Sequence, residues 1–333
     1  CWACRNHHCY MVEVTEGPYA GYKGEEGEYE IMAAFGSCIG QTDPGAATML
    51  AGEVDRLGLE GNEAGWLMSW LIECYERGLI TREQTDGLEM TWGNVEAVRA
   101  MLHKIARREG FGDFLAEGIM RCCERMGGEA RECGVYLKKG TIVRNYDVRS
   151  GIWREILDEA TTGTGFSEND ASHPEELGLA SADAFSPEEL PALVVAMKGK
   201  RSLMDSLVIC FLATGMFIKP LVDILNATTG WDLTLKEALD VGVRGITLHR
   251  AFDLRSGVTL EGEIPSGRLL AAPTDGPAKG KSIKPYWSQM MDNYYRHMGW
   301  DRKSGKPLPD TLRSLGLEHV VADLWGETVS QSR

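Results

Sequence analysis

Between positions 42 and 126 apolar residues recur at the three-to-four spacing that one face of a helix requires. TDPGAATMLAGEVDRLGLE at 42–60 holds that spacing from Ala46 to Leu57 and stops at Gly58, which predicts a helix of about three turns. GNEAGWLMSWLIECYERGLIT follows, apolar from Trp66 to Tyr75 and closed by Gly78, and predicts a largely buried helix. NVEAVRAMLHKIARR at 94–108, capped by Asn94 and closed by Gly110, and GDFLAEGIMRCCERM at 112–126 predict two more amphipathic helices. Helical spacing returns from Pro187, with proline in a first turn, and continues in MDSLVICFLATG and LKEALDVGVRGITLHRAF. Beyond a Pro/Gly-rich stretch at 264–285 it recurs in MMDNYYRHMGWD and LRSLGLEHVVADLW. The intervening pieces differ. Residues 10–35 are glycine- and acid-rich and predict a loop feeding a short buried segment, whereas 134–165 mix β-branched residues with glycine and predict a short extended piece and an exposed loop. Residues 167–182, polar and acidic with His173 before Pro174, predict a long loop of the kind that carries function. The pattern is that of a mainly α chain in two multihelical domains, 1–135 and 136–333, without internal repeat or low-complexity segment.

Composition narrows the class. The chain has 333 residues, 43% apolar and 25% charged, and no apolar run long enough to span a bilayer. Lysine plus arginine number 35 against 49 aspartate plus glutamate, a net charge of −14 that excludes a broad nucleic-acid surface and favours small-molecule or protein partners. Nine cysteines, odd in number and unevenly spaced, with no secretory signal, point to reduced thiols and a cytoplasmic compartment. The first residue is Cys1 and a metal motif begins there, so a portion upstream is expected.

That motif is Cys1, Cys4 and Cys9, spaced C-x2-C-x4-C. Thiolates are soft donors suited to iron–sulfur clusters or zinc, and short loops let them converge at little ordering cost. A fourth ligand must come from Cys38, Cys74, Cys122, Cys123, Cys133 or Cys210. No second two-cysteine hook follows, which favours a cluster with one distant ligand over structural zinc. Two further segments share the form D-x-L-(G/V)-(L/I)-(E/C): Asp55 to Glu60 and Asp205 to Cys210. They read either as ordinary helix ends or as two termini offering carboxylates to two halves of a symmetric ligand. Arg244 and Arg250 lie on one predicted helix, where pairing with acids is the first expectation and contact with a cofactor phosphate the second.

Together these motifs resemble the C-terminal two thirds of the aldehyde ferredoxin oxidoreductase family, tungsten enzymes with a bis-pterin cofactor beside one [4Fe-4S] cluster. EGEYEIMAAFGS, TGWDLTLKEALDVGVRGITLHRAFDLRSG and YYRHMGWDRKSGKPLPDTLRSLGL are similar as well. The resemblance implies that the family's β-rich pterin-binding domain lies outside these residues. It implies cluster ligation by Cys1, Cys4, Cys9 and Cys210, pterin hydrogen bonds from Asp55 and Asp205, and a place for Glu30 near the metal. There are departures. Four residues separate Cys4 from Cys9 where the aldehyde enzymes have three, and Val208-Ile209 replace Gly-Leu. WREILDEATTGTGFSEND lacks the R-G-x-x-H pattern that carries the family's active-site histidine, so His173 becomes the candidate proton donor. The class II benzoyl-coenzyme A reductase subunit of the same family is similar in its T-G-T-like segment, and its cysteine ligand on tungsten resembles Cys38 by position. Cys74, Cys122, Cys123 and Cys133 are expected to be core thiols.

The implied function is electron transfer between an aldehyde or acyl-coenzyme A group and ferredoxin, through tungsten or molybdenum bis-pterin and a [4Fe-4S] cluster. A homodimer or larger complex is compatible with it, and the 333 residues alone are expected to be inactive. The rival readings are a non-catalytic iron–sulfur scaffold subunit and a zinc-stapled helical binding module.

Overall fold

The computed structural model describes residues 4, 6, 10–149, 153–161 and 172–326. The described chain forms two compact units, one built from residues 10–148 with 265–270 returning to it, the other from residues 4 and 6, 149–264 and the residues after 270. Both are mainly helical.

The first unit opens on a short antiparallel hairpin, β1 (Met11–Glu13) against β2 (Lys23–Glu25), with Val12 opposite Gly24. A loop is expected there from sequence. Three-residue strands are too short for an alternating pattern to register, and the hairpin is found only through its pairing. Helices α1 (Tyr29–Ala34), α2 (Pro44–Leu57), α3 (Gly61–Glu76), α4 (Val95–Arg107), α5 (Phe111–Leu115), α6 (Ile119–Met126) and α7 (Gly128–Glu132) follow. Asp43 starts α2 by accepting from Gly45 N–H at 2.7 Å and Ala46 N–H at 3.2 Å, with Pro44 in the first turn. Asn94 caps α4 in the same way, from Ala97 N–H at 3.2 Å. The middle element is α3, which buries Leu67, Met68, Trp70, Leu71, Ile72 and Cys74 and meets side chains from α2, α4 and α6 in one continuous core.

The helix expected over 112–126 is two helices. Gly118, at φ +87°, breaks it, and the freed N–H of Ile119 donates to Glu63 Oε1 at 2.5 Å. Glu63 thus caps α6 from the neighbouring α3, a partner that local spacing does not announce.

The second unit begins with α8 (Trp153–Thr161), in a stretch expected to be extended or loop. Trp153, Ile156, Leu157 and Ala160 are buried at helical spacing, and Asp158 and Glu159 are buried beside them, which masks the amphipathic pattern. Then come α9 (Glu189–Ala196), α10 (Lys200–Ser206), α11 (Phe211–Thr214), α12 (Lys219–Thr229) and the 21-residue α13 (Leu235–Arg255). A reciprocal box of Thr234 and Glu237 starts α13. At Gly199, φ +100°, the backbone lies directly on Gly242 of α13, so that a side chain at either position would overlap main-chain atoms. The short α14 (Gly267–Leu270) returns to the first unit, and α15 (Trp287–Met298), α16 (Pro309–Ser314) and α17 (Glu318–Trp325) complete the second. Arg250, expected to pair with an acid, does so: buried in α13, it meets buried Glu263, which also takes the hydroxyl of Tyr295, and its Nε donates to Gly305 O at 3.0 Å. No helix among the described residues is long and apolar enough to cross a membrane.

Burial raises the Glu63 carboxyl from 4.5 to about 6, against the lowering effect of the Ile119 N–H. The folded state therefore holds this proton more tightly than the unfolded chain. The stabilisation is full below pH 4.5 and is lost as pH rises through 6, a change of about 2 kcal/mol. Glu63→Gln stays neutral and can still accept from Ile119, so it is expected to flatten the loss of unfolding free energy between pH 4 and 7 by that amount, read from denaturant titrations at both ends.

Candidate functional site

The two aspartate segments fold into the same turn, once in each unit. After α2, Gly58 adopts φ +69°, its N–H donates to Asp55 O at 3.0 Å, and Leu59 N–H reaches back to Val54 O at 3.1 Å. After α10, Val208 adopts φ +58°, with Val208 N–H on Asp205 O at 3.0 Å and Ile209 N–H on Met204 O at 3.0 Å. Both are helix ends in which a left-handed residue satisfies the last carbonyls. The sixth residue then caps the following helix at nearly equal angles, Glu60 at φ −71°, ψ 122° and Cys210 at φ −68°, ψ 123°. Glycine takes a left-handed conformation freely, whereas a β-branched valine there is strained. Val208 holds it while 92% exposed.

Asp55 is exposed at the end of α2. Asp205 is exposed at the end of α10, with Arg201 Nε at 3.2 Å. That same guanidinium lies 3.7 Å over the ring of Phe211, the neighbour of Cys210. Asp205, Arg201, Phe211 and Cys210 thus form one continuous strip. Cys4 belongs to it: Asn6 N–H donates to Cys4 Sγ at 3.4 Å, and Asn6 Nδ2 donates to Leu212 O at 3.4 Å, two residues past Cys210. Cys210 is exposed and Cys4 half-buried. Cys1 and Cys9 lie outside the described residues.

In the first unit Glu30 and Cys38 both face residues 144–145. Glu30, in the first turn of α1, is 9% exposed, with Arg144 Nε at 3.7 Å from its Oε1, and its Oε2 is buried with no hydrogen-bond partner among the described residues. Cys38 Sγ lies 3.9 Å from Asn145 O, and burial pushes its thiol upward. His173 is in the second unit. It adopts φ +57°, stacks on Phe217 with centroids 3.9 Å apart, and places Nδ1 3.2 Å from Glu175 Oε1. The segment 162–171, where the T-G-T-like residues fall, lies outside the described residues. Cys74, Cys122, Cys123 and Cys133 are buried in the first unit's core, where burial pushes the Cys74 and Cys122 thiols up to about 12 and Cys123 higher still.

Sequence reading passed over a buried charge cluster in the second unit. Lys198 and Lys200 flank Gly199 and are 2% and 0% exposed. Lys198 Nζ meets fully buried Asp158 at 3.2 Å. Lys200 Nζ donates to Ser172 O at 2.6 Å and lies 3.7 Å from Glu176, whose oxygens take the N–H groups of Ile218 and Lys219 at 3.0 Å. The available signal was the apolar spacing of α8 itself, which puts Asp158 and Glu159 inside.

The comparisons agree with one another. The family model for aldehyde ferredoxin oxidoreductase, domains 2 and 3, matches residues 1–317. The tungsten-containing aldehyde ferredoxin oxidoreductase of Pyrococcus abyssi is 31% identical over 96% of this chain and 53% of its own length. That of Pyrococcus furiosus is 31% identical over 95% and 52%. The aliphatic sulfonate oxidoreductase WOR-like subunit of Pyrococcus furiosus is 28% identical over 90% and 47%. Among solved structures, the active site complex BamBC of benzoyl coenzyme A reductase with 1,5 dienoyl-CoA aligns with a TM-score of 0.72 at 17% identity, covering 98% of this chain and 53% of that one. The chain therefore spans about half the length of the curated relatives it matches, less than the two thirds expected from motifs.

Two outcomes follow. Val208→Gly relieves a left-handed valine whose side chain packs on nothing, so unfolding free energy should rise by about 1 kcal/mol in denaturant titration, and Gly58→Val should lower it by a similar amount. Lys198→Met alone strands a buried Asp158 charge and should cost about 3–5 kcal/mol, whereas Lys198→Met with Asp158→Leu should recover most of the loss in the same assay.

Proposed function

The chain belongs to the aldehyde ferredoxin oxidoreductase family, and from that premise we propose that the protein is a cytoplasmic oxidoreductase passing electrons between an aldehyde, or an acyl-coenzyme A group, and ferredoxin or another iron–sulfur protein. The observation that carries this reading is the strip in the second unit, which joins Cys4 and Cys210 to Asp205 through Asn6, Leu212, Phe211 and Arg201. Cys1, Cys4, Cys9 and Cys210 would hold a [4Fe-4S] cluster. The N–H donated to Cys4 Sγ fits a thiolate ligand, because such donors stabilise charge on sulfur.

Asp55 and Asp205 would each accept paired N–H groups from one pterin, as a carboxylate does from a guanidinium. By the family resemblance each would serve one of two pterins, and Cys38 would be a ligand to the metal. When bound, tungsten or molybdenum bis-pterin supplies the two-electron chemistry, and the cluster supplies single-electron exits.

What the chain itself contributes is proton handling and orientation. Oxidation of an aldehyde with water to a carboxylate releases two electrons and three protons, so a base must stand close to the substrate. Glu30 fits that role: one carboxylate oxygen is buried with no hydrogen-bond partner among the described residues and the other is steadied by Arg144. His173, braced by Phe217 and Glu175, would carry a second proton.

Anaerobic full-length protein from cells grown with tungstate and molybdate is expected to contain about four irons and about one tungsten or molybdenum per chain, with released pterin and cluster absorbance in the visible. Cys210→Ser should lose most of that absorbance. Iron without the heavy metal would favour an electron-transfer subunit, and zinc alone in a colourless sample would overturn the cluster assignment.

A further inference from the structure

Among the described residues of the second unit, the non-glycine residues at positive φ are His173, Val208 and Met216. Val208 belongs to the turn before Cys210, Met216 immediately precedes Phe217, and Phe217 is the ring on which His173 stacks, at 24°. His173 is constrained twice over, because Pro174 follows it and a residue before proline is pushed to extended backbone. It stands instead at φ +57°, ψ 53°. Strain of this kind persists only where the surrounding contacts impose it, and it gathers at functional sites.

The contacts that impose it start from Lys200. Its ammonium, on a fully buried side chain, donates at 2.6 Å to Ser172 O, the carbonyl bonded to the His173 nitrogen, and lies 3.7 Å from Glu176 Oε2. Glu176 closes the turn from the other side. Its N–H donates to His173 O at 3.2 Å, and its carboxylate takes the N–H groups of Ile218 and Lys219, the two residues after Phe217. Backbone before the histidine, backbone after it and the ring beside it are thus tied to one buried cation.

The imidazole is left in one tautomer. Nδ1 lies 3.2 Å from Glu175 Oε1, and a carboxylate only accepts, so Nδ1 carries hydrogen and the neutral ring keeps its lone pair at Nε2. Lys200 also opens α10, which carries Asp205 in its last turn, about 8 Å further along the axis. Gly199, packed on Gly242, fixes the near end of that helix. We propose that Lys200 is a positioning residue for proton transfer, holding His173 in its left-handed conformation so that Nε2 is presented from a place set by α10. In the oxidation of an aldehyde by water, Nε2 takes one of the three protons released and passes it to solvent, while Lys200 stays protonated and touches neither substrate nor cofactor. The inference rests on the proton role given to His173 in the proposed function.

The test compares Lys200→Met, Lys200→Met with Glu176→Gln, Phe217→Leu and His173→Ala in the anaerobic full-length protein. The double variant removes the facing carboxylate charge together with the ammonium and serves where the single variant does not fold. Hydrogen exchange read by mass spectrometry at Glu176, Gly178 and Leu179, whose acceptors lie within 173–175, is expected to quicken at least tenfold in the Lys200 variants. Amides of α13 should be unchanged, which checks the fold. For aldehyde oxidation, kcat should fall at least tenfold in the Lys200 variants and severalfold in Phe217→Leu, a 43% exposed position, with KM within about twofold and cluster absorbance intact. Added imidazole, a free proton carrier, should return part of the lost rate to His173→Ala and to the Lys200 variants alike, a rescue that general distortion would not allow. Unchanged exchange in a folded Lys200 variant would overturn the inference, as would a normal kcat there beside a loss in His173→Ala, or rescue of His173→Ala alone. Full activity in His173→Ala would instead remove the proton role assigned under the proposed function, and quickened exchange in the Lys200 variants would still uphold the anchoring of His173. In protein that turns over no aldehyde, the redox reading falls and the exchange comparison alone decides the inference.

Discussion

A single backbone constraint organises both candidate cofactor segments: the chain must leave a helix through one left-handed residue three positions after an aspartate. Gly58 and Val208 supply that residue, and the helix carbonyls at Asp55 and Asp205 are satisfied by the turn itself. The side chain of each aspartate is thereby free of capping duty and remains exposed at a rigid corner. The same geometry sets the residue two positions further on at the start of another helix, which is why Cys210 stands beside Asp205 along one strip. Where glycine does this without strain, valine does it against its steric preference, and the rest of that corner must hold it in place.

Buried charge is the second theme. The Arg250–Glu263–Tyr295 group joins α13 to α15 and to the turn at Gly305 with nearly every polar contact internal. Lys198 and Lys200 act from a point fixed by the main-chain contact of Gly199 with Gly242, one holding α8 through Asp158, the other holding Ser172 and, through Glu176, the start of α12. Such pairs add little net stability when complete, and removing one partner is costly, so they specify arrangement more than they strengthen it. Glu30 resembles both groups in one respect: its Oε2, like Asp158 Oδ2 and Arg250 Nη2, is buried with no hydrogen-bond partner among the described residues.

The sequence by itself determined the helices with clean periodicity. α2, α3 and α4 begin and end within a few residues of their spacing signals because Asp43, Asn94 and Gly58 are local capping chemistry. It also determined the family, since the cysteine spacing and the paired aspartate motifs are written in short contiguous stretches. Tertiary structure decided what depends on partners distant in the chain. The hairpin β1–β2 exists through pairing of distant segments, the break at Gly118 is completed by Glu63 from another helix, and α8 is hidden by buried acids, of which Asp158 meets its cation forty positions away. The equivalence of Val208 to Gly58 is likewise a property of the fold: sequence shows a substitution, and only backbone angles show that the turn survived it. A small cavity beside α3 belongs to the same class: Trp66 and Trp70 reach it from one helix at helical spacing, whereas Trp92 and Arg268 reach it from segments distant in the chain. Periodicity and capping are encoded within a few residues, whereas cavities and buried ion pairs are encoded only in the packing of segments that the linear pattern leaves unrelated.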